Sequence, residues 1–206
     1  MIFLYSGTPG SGKSLHMAKD IRNDLLFGRA VICNFEIAVS KIKKKRGQFT
    51  YIDNYHITPE YLINFSREYF ETHRFKEGAI CLYLDEAQLL FNAREWQKNG
   101  RNEWLSFFTQ HRKYGFDIVL VAQFDRMIDR QIRSLIEYEY KHRKCSNFGT
   151  FGAIMSLLSG GKLFVTVKVW YPLSEKVGSE FFRCRKRYYE LYDTWLDFGA
   201  GASPPN

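Results

Sequence analysis

The chain has few cysteines, and nothing in their spacing ties them together. Four occur in 206 residues, at Cys33, Cys81, Cys145 and Cys184. They form no C-x-x-C pair and no histidine cluster accompanies them, which argues against a structural zinc site. The first two lie within apolar runs, where cysteine acts as a small hydrophobic residue. We therefore expect reduced thiols, as in a cytoplasmic protein.

The sequence also lacks a long hydrophobic run. Its longest weakly polar stretch, residues 148–158, is interrupted by glycine. A membrane-spanning helix needs ~20 predominantly apolar residues, so this stretch is too short. The first apolar segment begins at residue 2, and we see no secretory signal before it. We expect a cytoplasmic chain that does not cross a bilayer by itself.

Acidic side chains are in the minority. The chain has 22 Asp and Glu and 30 Lys and Arg, which gives a net charge of +8. A basic surface suits phosphate-rich partners such as nucleic acid, and ordinary surface charge explains the excess equally well. Two basic clusters, 41–46 and 183–187, are the candidates for contact with nucleic acid. The second cluster lies beside the aromatic pairs 181–182 and 188–189. Basic residues next to aromatic residues suit single-stranded nucleic acid. A water-exposed hairpin tip is an equally good interpretation of the first cluster.

The most informative feature is the segment 7–14, which reads GTPGSGKS and fills every fixed position of the G-x-x-x-x-G-K-[ST] phosphate-binding pattern. An apolar strand-like run precedes it, and an amphipathic helical pattern follows from Leu15. Lys13 can reach the β- and γ-phosphates, and the Ser14 hydroxyl is a typical Mg²⁺ ligand. The expected nucleotide-binding residues are Gly7, Thr8, Pro9, Gly10, Ser11, Gly12, Lys13, Ser14 and Leu15.

An acidic pair follows a second apolar run, since residues 79–84 lead directly into Asp85 and Glu86. Ligands of open α/β sheets bind at the carboxyl ends of the strands, where we expect this pair to lie. Asp85 is predicted to hold Mg²⁺ directly or through water, and Glu86 to orient and deprotonate the attacking water. The alternative for Glu86 is structural, because acidic residues also suit the first turn of a helix.

Gln123 ends the next apolar run, 117–122, where its side chain can touch the γ-phosphate or the attacking water. A surface glutamine at the end of a strand is the alternative. An arginine from a neighbouring subunit often stabilises the charge that develops during phosphoryl transfer. The sequence offers candidates for this role but does not select among Arg112, Arg126, Arg130 and Arg133.

The order of elements predicts an α/β fold. Apolar strands at 30–35, 49–52, 79–84 and 117–122 alternate with helical patterns, which indicates a mainly parallel sheet with helices on both faces. One helix is expected to begin at Thr58-Pro59, and another is marked by Ile128, Ile132 and Leu135. Later strands at 137–143 and 163–171 have no long helix between them, and Gly160-Gly161 suggests a turn there.

Three segments together resemble the N-terminal ATPase domain of the zonular occludens toxin family, which includes the filamentous-phage assembly proteins. They are MIFLYSGTPGSGKS, LYLDEAQ, and QHRKYGFDIVLVAQ followed by IRSLIEYEY. The sequence also resembles the FtsK/HerA group of DNA-translocating ATPases. The resemblance places Lys13 and Ser14 on the nucleotide and Mg²⁺ positions, Asp85 and Glu86 on the acidic pair, and Gln123 on the sensor.

This resemblance implies an additional-strand P-loop fold with extra C-terminal strands. It further implies an ATPase that forms ring-like homo-oligomers, hexamers among them, and that couples Mg-ATP hydrolysis to phage assembly and export of single-stranded DNA. We expect the ATPase domain over residues 1–195 and a flexible tail over 196–206. Family members usually continue into a membrane-spanning helix. This chain ends in GAGASPPN, so contact with the inner face of the host membrane is expected only through parts it does not contain.

Two other functions remain open on the sequence. The string GTPGSGKS also resembles nucleoside-monophosphate kinases, which need an acceptor pocket and an arginine-rich lid. We see no clear lid, and Glu86 favours water as the acceptor. A nucleotide-binding scaffold without productive hydrolysis is the third candidate, although the intact set of Ser14, Asp85 and Glu86 argues against it.

Overall fold

The computed structural model describes residues 1–91, 100–145 and 163–192, which form one eight-stranded sheet with helices on both faces. The strands are β1 (Ile2–Ser6), β2 (Ala30–Cys33), β3 (Phe49–Tyr51), β4 (Ile80–Leu84), β5 (Phe116–Val121), β6 (Tyr138–Lys144), β7 (Leu163–Trp170) and β8 (Glu175–Arg183). The helices are α1 (Lys13–Phe27), α2 (Pro59–Thr72), α3 (Arg101–Gln110), α4 (Arg130–Arg133) and α5 (Lys186–Tyr189).

The strand order is β3-β2-β4-β5-β1-β6-β7-β8. All pairings among strands β1 to β6 are parallel, whereas β7 pairs antiparallel with both β6 and β8 at the end of the sheet. Strand β5 lies between β1, which leads into the glycine-rich loop, and β4, which leads into the acidic pair. This insertion is the additional strand predicted from the resemblance. The expected fold class, a mainly parallel α/β sheet with extra C-terminal strands, is confirmed.

Alternation along the buried strands builds a core on each face of the sheet. In β4, Ile80, Leu82 and Leu84 pack with the apolar sides of α2 and α3, whereas Cys81 and Tyr83 pack with α1. Because both faces are covered, these strands are apolar throughout, which explains why they read as continuous hydrophobic runs.

Most element boundaries agree with the sequence-based expectations. Thr58 caps α2 as predicted, since its Oγ1 accepts a hydrogen bond of 3.1 Å from the Tyr61 N–H. The second strand ends at Cys33, two residues before its predicted end at Phe35. The helix expected around Ile132 is only the single turn α4, because a 3₁₀ turn at Asp125–Met127 precedes it.

Strand β8 was not predicted. Its sequence contains Gly178 and charged residues, and most of its side chains are exposed at the edge of the sheet, so it lacks an apolar pattern. Three expectations lie outside the described residues: the weakly polar stretch 148–158, the turn at Gly160-Gly161 and the tail over 196–206. The division into a domain over 1–195 and a tail therefore stays a prediction.

All four cysteines are unpaired thiols, three of them buried and Cys184 half-buried. Over the three described ranges, no group of three or more His, Cys, Asp or Glu side chains could hold a metal ion. No helix in those ranges combines the length and the apolar composition needed to cross a bilayer.

Candidate functional site

The glycine-rich loop connects β1 to α1, as the sequence predicts. Its glycines at 7, 10 and 12 have φ values of 144°, 69° and 96°, which side-chain-bearing residues rarely adopt. The space is also restricted. A Cβ on Gly7 would lie 2.6 Å from the His142 carbonyl oxygen, and one on Gly12 would lie 2.6 Å from Cδ1 of Phe164. Two of the glycines are therefore required by packing as well as by backbone conformation.

Lys13 folds back over this loop. Its Nζ donates hydrogen bonds to the carbonyl oxygens of Gly7, at 2.6 Å, and Thr8, at 3.3 Å. Partial burial lowers the pKa of Lys13, and the nearby carboxylates of Glu86 and Asp85 oppose this shift. The amine thus lies within electrostatic reach of both acidic side chains, and phosphate oxygens could replace its two carbonyl partners.

Asp85 is held firmly at the end of β4. Its Oδ2 accepts a hydrogen bond of 2.7 Å from the Tyr192 hydroxyl, and its Oδ1 accepts one of 2.9 Å from the Glu86 N–H. Burial raises the pKa of Asp85, and these two hydrogen bonds and Lys13 oppose the rise. The carboxylate and the Ser14 hydroxyl supply the hard oxygen ligands that Mg²⁺ prefers, so the donor set fits that ion.

The Asn34 side chain fixes the backbone of Asp85, a contact that was not predicted from the sequence. Its Nδ2 donates to the Asp85 carbonyl oxygen at 2.9 Å, and its Oδ1 accepts from the Asp85 N–H at 2.7 Å. A polar residue directly after the buried strand β2 is a weak signal for such a role. This residue was instead expected to continue the strand.

Glu86 adopts a left-handed backbone conformation, with φ of 46° and ψ of 47°. Such a conformation is costly for a residue with a side chain and is common at functional sites. The residue opens a 3₁₀ turn at Ala87–Leu89, and its exposed carboxylate accepts a hydrogen bond from the Gln88 amide. The structural alternative for Glu86 therefore fits the local geometry, and its catalytic role stays a prediction. Gln88 was not predicted from the sequence as a hydrogen-bond partner of Glu86.

Gln123 lies beside the glycine-rich loop, because its carbonyl oxygen accepts a hydrogen bond of 3.2 Å from the Gly7 N–H. It lines a cavity of about 460 Å³ together with Gly7, Thr8 and His142. Its half-buried side chain has no hydrogen-bond partner among the described residues. This is the position that the sensor role needs, and the role itself stays a prediction.

The four candidate arginines are far from equivalent. Arg112 precedes β5 and forms an ion pair of 2.8 Å with Glu137, so it lies at the edge of the sheet opposite the loop. Arg133 lies 3.8 Å from Asp125. Arg126 and Arg130 are exposed and follow Gln123 in the chain. Arg112 therefore cannot reach the phosphate loop of its own chain.

A buried pair of histidines, His16 and His142, lies at the base of the glycine-rich loop. His142 on β6 donates from Nδ1 to the Ser6 carbonyl oxygen at 3.1 Å, so its Nε2 accepts from His16 Nδ1 at 2.9 Å. His16 Nε2 then lies 3.3 Å from Oδ2 of Asp20. Burial lowers the pKa of His142 to about 3 and that of His16 to about 4, and it raises the pKa of Asp20 to about 7. In this arrangement His16 Nε2 carries no proton, so a hydrogen bond with Asp20 requires the protonated Asp20 carboxyl, which the raised pKa favours.

Nothing in the spacing of the two histidines predicted this pair, because they lie far apart in sequence and meet only when β6 pairs with β1. Around them, Ser6 Oγ donates to Glu139 at 2.5 Å and Tyr5 OH donates to Asp20 at 2.5 Å. The base of the loop is therefore fixed by a connected set of buried polar groups.

The C-terminal cluster at 183–187 is only partly a surface feature. Phe182 is buried and stacks on His16, with 5.1 Å between ring centroids. Tyr188 is buried too, and Arg187 lies 4.9 Å from its ring centroid. Of the four aromatic residues noted in the sequence, only Phe181 and Tyr189 are exposed. Two of these four aromatic side chains, those of Phe182 and Tyr188, are therefore part of the protein core.

Residues 1–195 match the sequence profile of one family, zonular occludens toxin (Zot). The chain belongs to the zonular occludens toxin family. The Gene 1 protein of Enterobacteria phage I2-2 is 28% identical to it over 171 residues, which cover 79% of this chain and 46% of that protein. The chain thus spans about half the length of the curated relatives it matches.

Solved structures agree with the fold of this family member. The N-terminal domain of zonular occludens toxin from Neisseria meningitidis has a TM-score of 0.54 and 22% identity, covering 93% of this chain and 98% of that one. The genome packaging NTPase B204 from Sulfolobus turreted icosahedral virus 2, in complex with ATP-gammaS, has a TM-score of 0.53 and 14% identity, covering 88% and 96%. At these identities the likeness concerns the fold alone.

Proposed function

We propose that this chain is the ATPase domain of a phage-assembly motor, which binds and hydrolyses Mg-ATP and couples hydrolysis to virion export or DNA translocation. One observation carries the proposal: β1, which leads into the glycine-rich loop, and β4, which leads into the acidic pair, run parallel with β5 alone between them. Phosphate-binding and acidic elements, far apart in sequence, therefore lie at the same, carboxyl edge of the sheet. Family membership and the packaging NTPase with its bound ATP-gammaS support the same function.

Each residue of the site has a separate role in the proposed binding and hydrolysis of ATP. Loop N–H groups and the Lys13 amine bind the phosphates, the amine leaving its two carbonyl partners to do so. Ser14 and Asp85 would hold Mg²⁺, which when bound neutralises charge on the phosphate oxygens. Glu86 orients a water molecule and accepts its proton, and Gln123 contacts the γ-phosphate or that water.

The assembly is part of the proposal. We expect a ring-like homo-oligomer at the inner face of the host membrane, acting on single-stranded DNA or on phage assembly proteins. The described residues place Arg112 away from the loop of its own chain, so an arginine acting on that site must come from elsewhere in the chain or from a neighbouring subunit. Arg126 and Arg130 are exposed, which favours them as arginines that act on the site of a neighbouring subunit.

The deciding experiment measures phosphate release from Mg-ATP over a range of protein concentrations, with and without single-stranded DNA. We expect activity to rise steeply with concentration and to increase with DNA, because sites are completed between subunits. Lys13→Ala should abolish both ATP binding and hydrolysis. Lys43→Ala, which removes an exposed lysine of the first basic cluster, is the matched control.

Two outcomes would replace this proposal. Transfer of phosphate to a nucleoside monophosphate in preference to water would identify a kinase. Binding of ATP without hydrolysis, even with DNA at high protein concentration, would identify a scaffold. Absence of any ATP binding would overturn all three functions.

A further inference from the structure

We propose that the C-terminal aromatic segment, residues 184–192, forms the base site of the bound nucleotide and holds the base by stacking on Tyr189. Because stacking does not read the edge of a base, the site accepts adenine and guanine with similar affinity. This inference rests on the proposed function, since the phosphates of the same nucleotide would occupy the glycine-rich loop.

The position of the segment is the first support. Residues Gly10 to Leu15 of the loop and of α1 line one wall of a cavity of about 340 Å³. The described residues of the other wall are Phe164, Cys184, Tyr188, Tyr189 and Tyr192. A nucleotide whose phosphates lie in the loop therefore has its nucleoside beside an aromatic wall.

Tyr189 is the ring in this wall that is left for a ligand. It is 64% exposed, and within the described part of the chain its side chain has no hydrogen-bond or ring partner. Its neighbours are engaged: Tyr188 accepts a hydrogen bond of 2.8 Å from Arg187, and Tyr192 donates one to Asp85. An exposed, unpartnered aromatic side chain at a concave site is typical of ligand stacking.

The backbone of the segment is anchored on both sides of Tyr189. After it, the Ala38 N–H donates to the Leu191 carbonyl oxygen at 3.0 Å, and Leu191 is buried. Before it, the Arg185 carbonyl oxygen accepts a hydrogen bond of 3.2 Å from the Tyr189 N–H. A fixed backbone loses little freedom when a base stacks on the ring that it carries, which favours binding.

The wall contains little that could distinguish one base from another. Among the described residues, its side chains are one phenylalanine, one cysteine and three tyrosines, with no carboxylate, amide or guanidinium group. Strong discrimination needs buried polar groups that are left unpaired by the wrong ligand. Stacking, in contrast, tolerates every base, because each has an aromatic face.

The test measures equilibrium binding of three probes to the full chain by calorimetry with Mg²⁺: ATPγS, GTPγS and inorganic tripolyphosphate. We expect the two nucleotides to agree within about fivefold, and tripolyphosphate to bind at least about tenfold more weakly. Tyr189→Ala should weaken both nucleotides by roughly tenfold and leave tripolyphosphate unchanged, whereas Tyr189→Phe should retain the affinity. Tyr55→Ala, which removes a tyrosine that is 95% exposed on the loop after β3, is the control.

The outcomes separate this inference from the proposed function. If tripolyphosphate binds as tightly as ATPγS, or if Tyr189→Ala behaves like Tyr55→Ala, the base site is elsewhere and the ATPase proposal stands. A preference above about fiftyfold for one base overturns the stacking mechanism. If none of the three probes binds, both the inference and the proposed function fail.

Discussion

The parallel part of the sheet and its antiparallel end differ in burial and in what they contribute to the site. Strands β2 and β4 are buried along their whole length, whereas most side chains of β8 are exposed. The parallel part supplies the glycine-rich loop, the acidic pair and Gln123. The antiparallel end supplies Phe164 and Phe182, which pack against the loop and against His16. The parallel part therefore supplies the predicted site residues, and the antiparallel end supplies aromatic side chains that pack against them.

This division teaches that a complete phosphate-binding motif is not a self-sufficient unit here. Gly12 accommodates the Phe164 ring of β7, so the antiparallel end helps to determine the shape of the loop. Ser6 at the start of the loop is also hydrogen-bonded to two side chains of β6, the strand at the boundary between the two regions. The four predictions that follow test each region in turn, from the largest expected effect to the smallest.

The parallel region is tested by Glu86→Gln. We expect hydrolysis to fall by about 10²–10⁴-fold, the usual contribution of a general base, while nucleotide affinity is retained. Phosphate release and calorimetry measure the two quantities. Glu71→Gln, at an exposed position on α2, controls for loss of charge. Wild-type turnover in Glu86→Gln would remove Glu86 from the mechanism and leave it a structural role.

The contact between the regions is tested by Gly12→Ala. The new methyl group meets the Phe164 ring, and the left-handed backbone is strained, so we expect a loss of about 2–3 kcal/mol of unfolding free energy together with weaker ATP binding. Gly178→Ala on β8 is the matched control, because a Cβ there meets no atom within 4 Å. Combining Gly12→Ala with Phe164→Ala removes the clash but not the strain, and should recover ATP binding only in part. Equal stability of Gly12→Ala and Gly178→Ala would contradict the packing argument.

The buried polar support is tested by His142→Leu. This change leaves the Ser6 carbonyl oxygen and His16 Nδ1 without their partner, and burying such groups unpaired costs about 2 kcal/mol. Chemical denaturation measures the loss. His56→Leu, at an exposed site, should change stability by less than about 0.5 kcal/mol. A His142→Leu chain as stable as the wild type would show that the histidine pair is dispensable.

The smallest effect concerns pH and Asp20→Asn. Burial raises the pKa of Asp20 to about 7, so between its ordinary pKa and 7 the folded state binds a proton that the unfolded state has released. This contribution favours folding at low pH and is lost as the pH rises through that range. The groups that face Asp20 are Tyr5, His16, Lys19, Asp24 and Glu180.

The measured quantity is the unfolding free energy of wild type minus that of Asp20→Asn, from pH 4 to 7. We expect this difference to fall by about 1 kcal/mol per pH unit, below the single-proton limit because a quarter of the Asp20 side chain is exposed. A difference that stays constant would mean that Asp20 titrates at its ordinary pKa. Asn at position 20 keeps an amide that can donate to His16, which isolates the titration from the hydrogen bond.

What the sequence could predict depends on whether the signal is local or comes from distant parts of the chain. The strands of the parallel part, the loop, Asp85, Glu86 and Gln123 are contiguous signals, since each lies directly after an apolar run or within one motif. The histidine pair, the Asn34 contact and the aromatic wall depend on strand pairing over long sequence separations, which local patterns do not encode. Strand β8 was missed because an exposed edge strand needs no hydrophobic alternation.

The position of β5 between β1 and β4 has a geometric consequence for the reaction. Neighbouring strands are about 4.8 Å apart, so one intervening strand separates the ends of β1 and β4 by about 9.6 Å. The loop and the acidic pair therefore lie on either side of the end of β5, and Gln123 follows that strand into the space between them.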